Sequence, residues 1–157
     1  MLFLVGETGI GKTRAIDEFV ARASDGDPQI CRIDCAPARY GRKSFSPARE
    51  LVVSLVSCEQ MPQDVPLVSS DTLMALVEFR ARAQPLMLVI ENLQWADAVT
   101  IEVLSRIAFG RSVLHLMVVV SYRYGLPSNS NCPALALMLD LMADAVTTSR
   151  PVSPPAP

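Results

Sequence analysis

The sequence predicts an α/β fold with a mainly parallel, doubly wound sheet, and three observations carry that prediction. Residues 86–90 (LMLVI) and 114–120 (LHLMVVV) are continuous apolar runs of strand length, the pattern of parallel strands covered on both faces. Such runs alternate along the chain with stretches whose apolar residues recur at helical spacing. A glycine-rich loop also joins the first short apolar run directly to the first such helix. Right-handed crossovers should place helices on both faces of the sheet, with any ligand at the carboxyl ends of the strands.

The elements follow in order. Residues 2–5 (LFLV) are the first strand, and Ala15, Ile16, Phe19, Val20 and Ala23 form one face of the first helix. The cluster SDGDP at 24–28 ends it. Residues 29–35 (QICRIDC) alternate as a second strand, followed by a basic loop in which Arg39, Arg42 and Lys43 are read as solvated, with phosphate contact as the second reading. Ser46-Pro47 is an N-cap followed by proline at the first helical position, and Ala48, Leu51, Val52, Leu55 and Val56 make its apolar stripe. Asp71 opens a third helix, with Leu73, Leu76 and Val77 inward, that Pro85 stops. Asp97 caps a fourth, running to about Phe109. Leu135, Met138, Leu139 and Met142 give one more amphipathic helix, and residues 145–148 a short fifth strand.

With 157 residues, half of them hydrophobic, the chain suits one domain over 1–150, followed by a proline-rich tail at 151–157 that is expected to be extended or disordered. A net charge of −2 gives no footing for a nucleic-acid surface on this segment. The longest apolar stretch, 113–120, is far short of the roughly 20 residues of a membrane span. The start lacks the basic flank of a secretory signal, so a cytoplasmic protein is expected. Cys31, Cys35, Cys58 and Cys132 lack paired metal-site spacing and read as small apolar residues. His115 sits in a buried-looking strand without a His or Cys partner nearby and reads as structural.

Residues 6–13, GETGIGKT, fit GxxxxGK[ST] at every fixed position, between a strand and a helix. The chemistry of a triphosphate explains the pattern. Gly6, Gly9 and Gly11 let the backbone curl so that its N–H groups point inward at phosphate oxygens. The positive end of the next helix faces the same anion. Lys12 reaches the β- and γ-phosphates as a point charge, and the Thr13 hydroxyl is placed to ligate Mg2+. Residues Gly6, Glu7, Thr8, Gly9, Ile10, Gly11, Lys12, Thr13 and Arg14 are therefore the candidate nucleotide-binding segment.

Glu91 follows the apolar run 86–90, where a carboxylate would hold the Mg2+ sphere opposite Thr13. Asn92 stands next, where hydrolysing enzymes commonly carry an acid; an amide can orient water but cannot accept its proton. Slow or absent hydrolysis is the expectation. Arg123 closes the strand expected beside the phosphate loop and reads as a γ-phosphate sensor, with a surface arginine as the alternative. Lys12, Glu91, Asn92 and Arg123 are the candidate catalytic residues, and Thr13 and Glu91 the candidate metal-holding pair. Tyr122 reads as packing, and Trp95 as core or interface.

The stretches GETGIGKTRAIDEF, LMLVIENLQWADAVTIEVL and LMVVVSYR resemble the nucleotide-binding domain of the STAND class of signal-transduction ATPases, particularly bacterial regulators of the LuxR/MalT-like and adenylate-cyclase-associated type. The resemblance covers the chain to about Arg150. It implies the P-loop NTPase fold of the ASCE type, with roughly five strands, binding ATP and Mg2+. It also implies a switch: ATP favours an active, often self-associated state and ADP an inactive one, with output through an attached effector or DNA-binding domain of a longer parent chain. Against the family pattern, Asn92 replaces a second acid and Gln94 replaces a histidine. The family's base-binding residues and helical lid are not recognisable here, so a fragment or truncated product is expected. Two further readings remain: an ATP-hydrolysing P-loop enzyme of another class, and a remnant that binds nucleotide weakly.

Overall fold

The computed structural model describes residues 1–36, 46–56, 68–110 and 115–123. Four parallel strands form one sheet: β1 (Leu2–Gly6), β2 (Gln29–Asp34), β3 (Leu86–Glu91) and β4 (Leu116–Arg123), in the order β1-β4-β3-β2. The helices among the described residues are α1 (Lys12–Ala23), α2 (Pro47–Val56), α3 (Ser70–Ala83) and α4 (Ala98–Phe109). The doubly wound α/β reading therefore holds, with four strands described rather than the five expected. Residues 135–148, where a further helix and the fifth strand were expected, lie outside the described residues, as do Arg39, Arg42, Lys43, Cys58, Cys132 and the 151–157 tail.

Successive strand residues point to opposite faces, and the two faces carry different cover. On one, Met87, Val89 and Val119 bury against Ile16, flanked by Phe19 and Val20 of α1. On the other, Cys31, Ile33, Leu88, Ile90, Val118 and Val120 bury against residues of α2, α3 and α4. Every residue of β3 is buried, which explains its unbroken apolar run. The same parity puts Arg32, Glu91, Ser121 and Arg123 on the face that α1 covers.

Helix starts follow local chemistry. Ser46 Oγ accepts from Arg49 N at 3.4 Å ahead of Pro47, as expected. The third helix begins slightly earlier than Asp71: Ser69 caps it, accepting from Thr72 N at 3.2 Å. Asp97 caps α4 as expected, accepting from Thr100 N at 2.9 Å through Oδ1. Its other oxygen also serves α2, accepting from Ala48 N at 3.2 Å and Ser46 Oγ at 2.7 Å. One carboxylate thus joins the positive ends of two helices.

Two expectations are corrected. The last described strand starts at Leu116, leaving His115 outside it, and ends at Arg123 as expected. His115 is exposed just before it, because the residue only supplies its carbonyl to Leu86 N at 2.8 Å before the chain enters the sheet. Tyr122 packs against the larger core, as expected. Trp95 is 49% exposed and so is not core.

Asp97→Ala should cost about 2–4 kcal/mol in urea unfolding, since two caps are lost at once, and Asp97→Asn about half of that because one acceptor oxygen survives. The thiols give a second expectation. Cys31 and Cys35 are free and fully buried. Burial pushes both thiols up; Ser54 and Arg80 oppose the rise at Cys31, and the charges of Asp97 and Asp34 add to it at Cys35. A thiol whose folded value is raised contributes stability that is whole below its unfolded value and is lost as pH rises past it. Unfolding free energy should therefore fall from about pH 8.5 upward, by up to ~1.4 kcal/mol per pH unit per thiol, and the fall should be shallower in a Cys31→Ala/Cys35→Ala variant.

Candidate functional site

The carboxyl ends of β1, β3 and β4 meet at one edge of the sheet. Gly6 is in register with Arg123, so the loop that leaves β1 starts beside the end of β4. Gly9 and Gly11 take φ of 84° and 98°, a region closed to most side chains, and Gly11 delivers the chain into α1 at Lys12. Around them Glu7, Thr8, Ile10 and Arg14 are exposed; Ile10, at 70%, is the most open large apolar residue described.

Lys12 is half-buried, and its Nζ donates to the carbonyls of Gly6 and Glu7, both at 2.7 Å. An ammonium has three donors, so these bonds fix the side chain over the loop and leave one N–H for a further acceptor. The local backbone thus holds the cation in place before any anion arrives.

Thr13, the next residue, meets the end of β3. Its Oγ1 donates to Glu91 Oε2 at 3.1 Å, so two residues 78 positions apart are joined across α1 and β3. A hydroxyl and a carboxylate are the oxygen donors a hard divalent ion takes, usually keeping several of its own waters. The residues present fit Mg2+.

Glu91 has a second partner that no motif announces. Its Oε1 accepts from Nε and Nη2 of Arg32 on β2, each at 2.7 Å. Arg32 Nη1 donates in turn to Asp17 Oδ1 at 2.6 Å. Burial works against the charge on Arg32, but its bonds to Asp17 and Glu91 outweigh that and raise its pKa above the ordinary value. In QICRIDC, Arg32 reads as an outward polar residue of an alternating strand. Its role needs the pairing of β2 with β3, which sets Arg32 opposite Val89, two residues before Glu91.

Asn92 has φ 56°, a left-handed conformation that asparagine tolerates better than most residues. Its N–H donates to Ser121 Oγ at 3.1 Å and its Nδ2 to Asp34 Oδ1 at 2.7 Å. An acid at 92 would face the Asp34 carboxylate instead of donating to it. Gln94 is buried and accepts from Arg123 N at 3.1 Å through Oε1. The turn after β3 is thereby tied to the end of β4, and Arg123 itself is half-buried.

A glycine cradle with a fixed lysine, opening a helix beside a carboxylate at the end of an inner parallel strand, defines the P-loop nucleotide-binding class. A family model for the AAA ATPase domain matches residues 1–119, and the chain belongs to that family. The match ends within β4, before Arg123. A search of curated proteins finds no significant match. No described helix is long and apolar enough to cross a membrane.

Gly11→Ala should lower stability by about 1–2 kcal/mol in urea unfolding, because φ of 98° is strained for a side chain. Gly26→Ala, with open space around its Cβ and no positive φ, should change it by less than about 0.5 kcal/mol.

Proposed function

We propose that this domain binds Mg-ATP as a nucleotide-dependent switch in a signalling or transcriptional regulator and hydrolyses it slowly or not at all. The observation that carries the reading is the Thr13–Glu91 hydrogen bond beside the Lys12 cradle. In this reading the loop N–H groups and Lys12 take the β- and γ-phosphates. Thr13 and Glu91 hold the ion, which supplies neutralisation of phosphate charge. Arg123, placed beside Gly6, reads the γ-phosphate with its planar donor fork. Asn92 supports the low turnover: it offers no base for the attacking water, and its amide is engaged with Asp34.

The switch character and the STAND assignment rest on the quoted sequence resemblance. On that reading 1–150 is one nucleotide-binding unit within a cytoplasmic chain, ATP favours an active and self-associating state, and output passes to an effector or DNA-binding domain in a longer parent protein.

Calorimetry should record Mg-ATP binding that Lys12→Ala weakens by about 30–100-fold, the loss of a charged hydrogen-bonding partner. Phosphate release should stay below about one turnover per second. Faster release would instead establish a working P-loop enzyme, and no binding at millimolar ATP would establish a remnant.

A further inference from the structure

The metal side of the proposed site is closed by a ring of side chains. Glu91, whose side chain is 9% exposed, spends its two oxygens separately: Oε2 on Thr13 and Oε1 on Arg32. Arg32 returns to α1 through Asp17, one helical turn beyond Thr13. Three elements, α1, β2 and β3, thus share one carboxylate, and the guanidinium carries the only positive charge among the side chains of that ring.

We propose that Arg32 sets how strongly this site holds a divalent ion, and so how far nucleotide affinity depends on that ion. The inference rests on the Mg-ATP reading above. Arg32 acts on the ion in two ways of opposite sign. As a strut it fixes the carboxylate so that Oε2 faces Thr13, which favours the ion. As a charge it neutralises Glu91 and repels a dication, which disfavours it. The strut is partly redundant, since Thr13 already orients Oε2. The charge is not, because it lies within about one Debye length of an ion beside Thr13 and faces a carboxylate shielded from solvent. The charge effect therefore wins. Arg32 keeps Glu91 satisfied in the absence of nucleotide and leaves the phosphates to bring most of the negative charge that retains the ion. Asp17 moderates the effect by drawing part of the guanidinium charge to itself.

The test compares ATP affinity by calorimetry in excess MgCl2 and in EDTA, at low ionic strength because Arg32 is about one third exposed. The ratio of the two affinities measures the coupling between ion and nucleotide. Arg32→Gln, which keeps a donor but removes the charge, should raise that ratio by about fivefold or more. Arg32→Lys, which keeps the charge but not the fork, should leave it within about twofold of the parent. Asp17→Asn, on an exposed surface, should lower it by about twofold. A ratio that is unchanged or lower in Arg32→Gln, with a thermal melt matching the parent, overturns the inference while leaving Mg-ATP binding intact. Should Arg32→Gln not fold, an unchanged or raised ratio in Asp17→Asn overturns it. A parent chain that binds no ATP overturns the function proposed above and this inference with it.

Discussion

An almost buried carboxylate must be matched by donors or cations, and Glu91 is the point where this domain meets that requirement. Thr13 reaches it from α1 and Arg32 from β2, so the helix that follows the glycine loop is locked to β3 by polar bonds as well as by the apolar contact of Ile16 with the sheet. Losing every donor from Arg32 would leave the Glu91 charge without its cation in a place water barely enters, which is costly. The same bonds that keep the fold self-consistent also set which carboxylate oxygen faces the phosphate loop.

The loop itself is held by equally local means. Positive φ at Gly9 and Gly11 curls the backbone, and the Lys12 ammonium ties the start of the loop to the start of α1. Gly6 sits in register with Arg123, and Gln94 fastens the Arg123 backbone to the turn after β3. The ends of three strands are thereby fixed relative to one another by main-chain and buried polar bonds rather than by exposed side chains. In the segment LQWAD, Asp97 lies at the junction of two helix starts and holds α2 against α4, which makes it a residue of architecture.

Asn92 shows how closely one side chain can suit its local surroundings. A left-handed backbone, an N–H given to Ser121 and an amide given to Asp34 all suit asparagine. An aspartate would bring two carboxylates together and raise the pKa of one of them. At this position an amide therefore avoids a repulsion that an acid would bring.

Local order was legible in the chain because it depends on neighbours in sequence. Apolar runs announced β3 and β4, and helical spacing with Ser46-Pro47 and Asp97 announced α2 and α4. GETGIGKT with Glu91 announced the loop and its carboxylate. Where a boundary moved, as at Ser69, the deciding contact was a cap. His115 looked buried because an apolar run surrounds it, yet it lies outside the strand and exposed. Arg32, Asp17, Asp34 and the second helix served by Asp97 carried no readable signal. Period-two alternation says which face a residue takes, but not which residue of another strand stands beside it. By itself, then, the sequence determined the layered α/β fold, the phosphate cradle and the strand end that bears Glu91, since each follows from local spacing and side-chain type. Only the tertiary structure decided what neutralises Glu91 and what engages Asn92, because those partners are chosen by the parallel register of β2 against β3 and by the way α1 lies across them.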